Sequence, residues 1–256
     1  MDMIFTLMTP ATFAFALGVG VFAGVIKGVA GFGLPAILYI GLALVLPPDI
    51  ALVGVIFASL VTNAMQALRQ GATAAWDTMR IYRLFLIVGG VVLIASAQLL
   101  MIISPSVLML WIGVVISVFI AAQLVGWQPR VSPHARLPEI AAGAVTGFTG
   151  GIAGIWAPST VAYLTAVNTP KTQQVRAQGI IFGLGALLLA VAHVQTGVLR
   201  AQTWPFSAVM ILPCVAGMWV GTRVQDAIPQ AAFKRVTLLL MLIGGLHLVW
   251  RGITGL

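Results

Sequence analysis

The chain has 256 residues, of which 61% are apolar and 7% charged, with a formal net charge of +8 and a mean hydropathy of +1.10. Soluble domains carry about 25% charged residues, so this composition excludes a soluble fold, and about eight to ten membrane crossings leave no length for an extra domain of about 100 residues. The basic residues stand singly between apolar stretches, which excludes a nucleic-acid-binding stripe, and the lone Cys214 excludes an internal disulfide.

Met1 to Pro10 holds one acid and no base, so it lacks the basic start of a cleaved secretory signal, and the first apolar segment is expected to stay in the mature protein. Apolar segments then run over Thr12 to Ile26, Leu34 to Leu46, Ile50 to Leu68, Ile81 to Ile103 and Val107 to Val125, and again over Leu137 to Thr149, Ile152 to Val167, Gln178 to Val194, Pro205 to Val220 and Val236 to Trp250. They are continuous rather than alternating, which predicts helices and excludes a β-barrel. Pro, Gly and charge cluster in the gaps, as in Leu46-Pro47-Pro48-Asp49 and Trp127-Gln128-Pro129-Arg130. The fold class expected is an all-α polytopic membrane protein with a single transmembrane domain over residues 1–256. Leu34 to Leu46 and Leu137 to Thr149 are short for a bilayer core of about 30 Å, since a helix of such length covers about 20 Å. The first two segments of each half are therefore expected to be short and re-entrant in character.

The chain matches itself at an offset of about 123 residues. Gly24, Gly28, Ala30, Gly31 and Pro35 fall on Gly147, Gly151, Ala153, Gly154 and Pro158, and the register continues through Pro47 with Pro170, Pro105 with Pro229, and Gln123 with His247. A duplicated architecture follows, with one repeat over about 12–126 and the other over about 137–251, as in many transporter folds. Five segments per repeat, an odd number, predict that the second half is inverted. The positive-inside rule agrees: with Arg69, Arg80 and Arg83 inside, the inverted arrangement also places Arg130, Arg136, Lys171, Arg176, Arg223, Lys234 and Arg235 inside, leaving Arg200 and Arg251 outside.

Gly-rich breaks join the short pairs at Lys27-Gly28-Val29-Ala30-Gly31-Phe32-Gly33 and at Thr149-Gly150-Gly151-Ile152-Ala153-Gly154. Irregular backbone at membrane depth is tolerated only inside protein or along a cavity. Two such breaks entering from opposite sides would present helix ends and free N–H groups near the midplane, a favourable place for an anion. The same glycines would also serve close helix packing. The candidate substrate-binding residues are Lys27, Gly28, Gly31, Phe32, Gly33 and Pro35 in the first copy and Gly150, Gly151, Gly154, Trp156 and Pro158 in the second. Asn63, one turn from Gln66, adds an amide, and Arg176 and Gln178 open the eighth segment. Lys27 is either a ligand for the anion or a surface charge at a hairpin tip; Arg176 is open to the same two readings. Phe32 and Trp156, in near-equivalent places, are candidate gates or ordinary packing residues.

All five acids, Asp2, Asp49, Asp77, Glu139 and Asp226, fall in loops or at segment ends, so no intramembrane carboxylate relay exists and a cation transporter is disfavoured. His193 and His247 lie within apolar segments and read as packed or interfacial side chains rather than proton carriers. There is no H-E-x-x-H, no pair of membrane aspartates and no G-x-S motif, so the chain reads as a non-enzyme that needs no metal and no cofactor. A passive anion channel has the same sequence signature.

The Gly-rich break followed by Pro in each half, the Pro47-Pro48-Asp49 and Thr169-Pro170-Lys171 helix starts, and the turns Gln70-Gly71-Ala72-Thr73-Ala74-Ala75-Trp76 and Thr196-Gly197-Val198-Leu199 resemble the TauE/SafE sulfite exporter family over nearly the whole chain. Members typically carry Gly-Gly-Gly before the Pro; here the places hold Gly31-Phe32-Gly33-Leu34 and Gly154-Ile155-Trp156-Ala157. The resemblance implies a multi-pass permease of the bacterial inner membrane that exports a small anion such as sulfite or an organosulfonate, with uptake of a small carboxylate as the alternative. Its partners would be that anion and lipid; self-association into a homo-oligomer is left open by the sequence.

Overall fold

The computed structural model of the chain describes residues 7–97, 105–127, 132, 135–153, 156–195, 197–227 and 229–254. Among these residues the regular structure is entirely helical. The helices are α1 (Pro10–Ala30), α2 (Leu34–Ala43), α3 (Pro48–Leu68), α4 (Ala72–Ile81), α5 (Arg83–Ala97), α6 (Pro105–Leu124), α7 (Arg136–Ala153), α8 (Ala157–Ala166), α9 (Lys171–Gln195), α10 (Trp204–Val209), α11 (Ile211–Ala227) and α12 (Gln230–Thr254). Four stretches are long and apolar enough to cross a membrane, Pro10–Ala30, Asp49–Leu68, Lys171–Val191 and Trp204–Gln225, and α4 with α5 makes a fifth where that pair, bent by 75°, is one span. With ten residues each, α2 and α8 cover about 15 Å and do not reach across a bilayer core of about 30 Å.

Local chemistry sets the ends. Thr9 caps α1, its hydroxyl accepting from the Thr12 amide at 3.2 Å, and Pro10 opens the first turn. Gly31 stops the same helix with φ at 81°, its amide returning to the Lys27 carbonyl. Pro48 and Asp49 open α3, the acid favourably placed at the positive end.

Each apolar segment of the sequence overlaps a helix, but α1, expected to be short, has 21 residues and is long enough to cross a membrane. Helix α7 runs 18 residues to Ala153, so residues 149–153 of the second expected break, like residues 27–30 of the first, are helix. The stretch before Ile81, read as a loop because it holds Asp77 and Arg80, is helix α4: Gly71 starts it and Ala72, Ala74 and Ala75 favour it. The single segment expected from Pro205 is divided at Met210 into α10 and α11.

The chain forms two compact units. The first holds residues 1–69 and 182–229, the second 70–181 and 230–256. Neither coincides with a sequence repeat, because each draws helices from both halves. In the first unit α1 packs along α11, with α2, α3 and α10 against them. Its core is Leu34, Leu38 and Leu42 of α2, Val53 and Ala58 of α3, Phe206 and Met210 beside α10, and Cys214 of α11. In the second unit α5 packs along α7 and α6 along α12, with α8 against α6 and α7.

Glycines make these contacts close. A methyl group at Gly24 or Gly28 of α1 would collide with the backbone of α11 at Cys214 or Met218, and one at Gly217 or Gly221 of α11 would collide with the carbonyls of Val21 or Val25. Within the second unit, Gly147 of α7 is closed in the same way by the Gly89 carbonyl of α5. Small residues that let two backbones approach supply van der Waals contact where lipid offers no hydrophobic driving force. Gly24 and Gly147, paired by the repeat, thus make equivalent contacts in their own units.

Candidate functional site

One face of α1 is buried through Ala16, Gly20, Ala23, Gly24 and Gly28, and Lys27 lies on it. Its side chain is 1% exposed. Among the described residues it is the only buried member of the Asp, Glu, Lys and Arg set. The ammonium donates to Asn63 Oδ1 of α3. Among the described residues no carboxylate is paired with it, and the cost of such burial is large unless polar groups or an anion compensate the charge.

The polar groups come from α3. Ser59, Thr62, Asn63 and Gln66 recur at helical spacing along that helix and are all buried, at 4%, 0%, 1% and 1% exposure. Gln66 Nε2 donates to the Gly31 carbonyl at 2.9 Å, and Thr62 returns its hydroxyl proton to the Ala58 carbonyl at 2.7 Å. Ser59 Oγ is buried without a hydrogen-bond partner among the described residues. Gly183 of α9 lies against Asn63, whose Cβ is 3.5 Å from where a methyl at that glycine would sit.

The break after α1 is built rather than loose. Gly31 and Gly33 take φ of 81° and 95°, a region that costs other residues about 1–2 kcal/mol. On the far side Gln225 of α11 donates to the Val29 carbonyl at 3.0 Å. Amides from α3 and α11 thus hold the carbonyls that the helix end leaves open, as apolar surroundings demand. Downstream, α2 begins at Gly33 with no side-chain cap and with Pro35 in its first turn. That leaves a positive helix end beside the break. Phe32 is half-buried there.

In the first unit Lys27 and Asn63 are thus in contact and Gln66 ties Gly31 to α3, with Gly33 and Pro35 following directly at the start of α2. Gly28 belongs to the same stretch but turns toward α11, where it serves the helix contact. Sequence reasoning missed Ser59 and Gln225. Ser59 had a signal, its four-residue spacing from Asn63; Gln225 lies 196 residues from its partner and had none.

The remaining candidates lie in the second unit, except Gly154, which is outside the described residues. Trp156 caps α8 and is 7% exposed, and its Nε1 has no hydrogen-bond partner among the described residues; the same holds for Thr160 Oγ1 and Gln178 Oε1. Its indole fills the place that a side chain at Gly150 would need. Gly151 is half-buried and Pro158 buried. Arg176 is engaged by α4 and the turn before it, its Nε donating to Thr78 Oγ1 at 2.7 Å and its Nη1 to Gln70 Oε1 at 2.9 Å. Nearby, Tyr82 at the α4–α5 bend shares a 2.9 Å hydrogen bond with Thr169, and Glu139 accepts from the Phe85 amide at 3.1 Å.

No metal-binding group of three or more His, Cys, Asp or Glu side chains occurs among the described residues. The chain matches no curated protein and no solved structure. The sequence model of the family described as "Sulfite exporter TauE/SafE" does match, over residues 16–248 of the 256. With its apolar helices and a family match across nearly its whole length, this chain is a multi-pass membrane protein and belongs to the TauE/SafE sulfite exporter family.

Proposed function

We propose that the chain is a permease exporting a small anion, sulfite or an organosulfonate, across the bacterial inner membrane. Lys27 supplies the charge that holds the anion, and Asn63, Ser59 and the uncapped start of α2 supply neutral hydrogen bonds. The observation that carries this reading is the burial of Lys27 beside a Gly-built helix break, with an amide and, among the described residues, no carboxylate as its partner. A lysine whose role was topological would keep its ammonium in water. The break lets an anion approach the main chain, and the duplicated sequence pattern supports alternating access between two inverted repeats.

The second unit contributes framework in this reading. Phe32, half-buried at the break in the first unit, forms an apolar wall for an organic tail. The test is flux of a labelled panel, sulfite, taurine, methanesulfonate and acetate, in proteoliposomes of the full chain. Saturable sulfite or sulfonate flux that Lys27→Met abolishes supports the permease. Non-saturable flux of all anions alike would make it a channel, and acetate preference would make it a carboxylate carrier.

A further inference from the structure

The Lys27 site has an unusual charge balance. In its own unit the other charged residues whose side chains are described, Asp49, Arg69, Arg200 and Arg223, are exposed, so Lys27 is the only buried charge among the described residues there. The duplicated motif could have supplied a second lysine. Instead the residue matched to Lys27 is Gly150, and the Trp156 indole takes the space above it. From Ile140 to Pro170 the second copy has no charged residue at all. Every other polar group in the cluster, Ser59, Thr62, Asn63 and Gln66, is neutral.

We propose that this site binds the monoanion of its substrate, bisulfite or a singly charged sulfonate, and rejects the dianion of an acid of similar size. The inference rests on the reading of Lys27 as the anion's partner. One ammonium and one monoanion leave no net charge in the low-dielectric interior. A dianion leaves one uncompensated charge, and neutral amides and hydroxyls do not remove it. Ser59 fits the protonated form, because its oxygen, without a partner among the described residues, can accept the proton that distinguishes an acid monoanion from its dianion.

The experiment measures binding of sulfite, methanesulfonate and sulfate to the full chain in detergent, by calorimetry, across the pH near neutrality at which sulfite loses its second proton. Methanesulfonate is a monoanion throughout, so its profile carries any titration of the protein, and the ratio of sulfite to methanesulfonate affinity isolates the substrate's proton. The expected ratio falls about tenfold per pH unit above that ionisation, and sulfate binds at least about a hundredfold more weakly than methanesulfonate. A ratio that is flat or rises with pH, or sulfate binding equal to methanesulfonate, overturns the proposal. Failure of the underlying site is separately visible: Lys27→Met that binds methanesulfonate as tightly as the unaltered chain removes Lys27 from the site and the proposal with it. The ratio needs no variant, so a misfolded Lys27→Met leaves the test intact.

Discussion

Lys27 and Asn63 are joined by a buried hydrogen bond across 36 residues of sequence, the ammonium of α1 donating to the amide oxygen of α3. The pair gives the first prediction. Asn63→Leu leaves a buried ammonium without its acceptor and should destabilise by about 3 kcal/mol. Adding Lys27→Met to that variant removes the unpaired charge and should recover most of the loss while leaving no transport. Denaturation of the single and double variants in detergent measures both effects; equal loss in single and double variants would mean the bond contributes nothing to the fold.

The glycines of α1 should separate by what each one meets. A methyl at Gly18 has nothing within 4 Å, whereas one at Gly24 or Gly28 meets the α11 backbone. Gly18→Ala is expected to shift stability by less than about 0.5 kcal/mol. Gly24→Ala and Gly28→Ala should each cost about 1–3 kcal/mol, the usual range for overpacking. Thermal melting of the three proteins under one set of conditions ranks them.

In the second unit the indole of Trp156 and the bare face of Gly150 share one space. Gly150→Ala should therefore be destabilising in the wild-type background and close to neutral once Trp156→Ala has emptied that space. The two changes are non-additive, with a coupling of about 1–2 kcal/mol expected in a double-mutant cycle. Additive effects would show that the indole yields freely.

The driving force is expected to be the membrane potential alone. A monoanion leaving a negative interior gains about 2.3 kcal/mol per 100 mV, roughly a fifty-fold concentration ratio. All five acids fall in loops or at segment ends, Glu139 in the first turn of α7, so the sequence offers no mid-span carboxylate to couple a cation. Proteoliposome export should persist without a sodium or proton gradient and follow a potassium-valinomycin potential. Dependence on the pH gradient alone would transfer the coupling to His193, to His247 or to a protonated substrate.

The parts of the fold that were legible in the sequence are those set by local chemistry. The apolar lengths locate the helices but not their ends, since the first was read as Thr12 to Ile26 whereas Thr9 and Pro10 open α1 and Gly31 ends it. The reversal of reading at α4 shows the limit, since Asp77 and Arg80 mark a polar stretch without telling a surface helix from a loop. Lys27 could be singled out because lysine in a glycine-rich apolar run is rare, but its acceptor could not be separated from a lipid-facing amide until α3 was placed. The pairing of α1 with α11 was beyond reach. Gly24 and Gly217 each signal close packing, and nothing in either says which helix comes to meet it.

That pairing bears on biosynthesis. The backbone that meets Gly24, at Cys214 to Met218, is made about 190 residues after it, which at about 5–20 residues per second is roughly 10–40 s. Throughout that interval the Gly24 and Gly28 face of α1 lacks its neighbour, although Asn63, which accepts from the Lys27 ammonium, follows only 36 residues after it. The packing of α1 is thus completed late, and a ribosome that stalls midway releases a chain whose glycine face on α1 is uncovered.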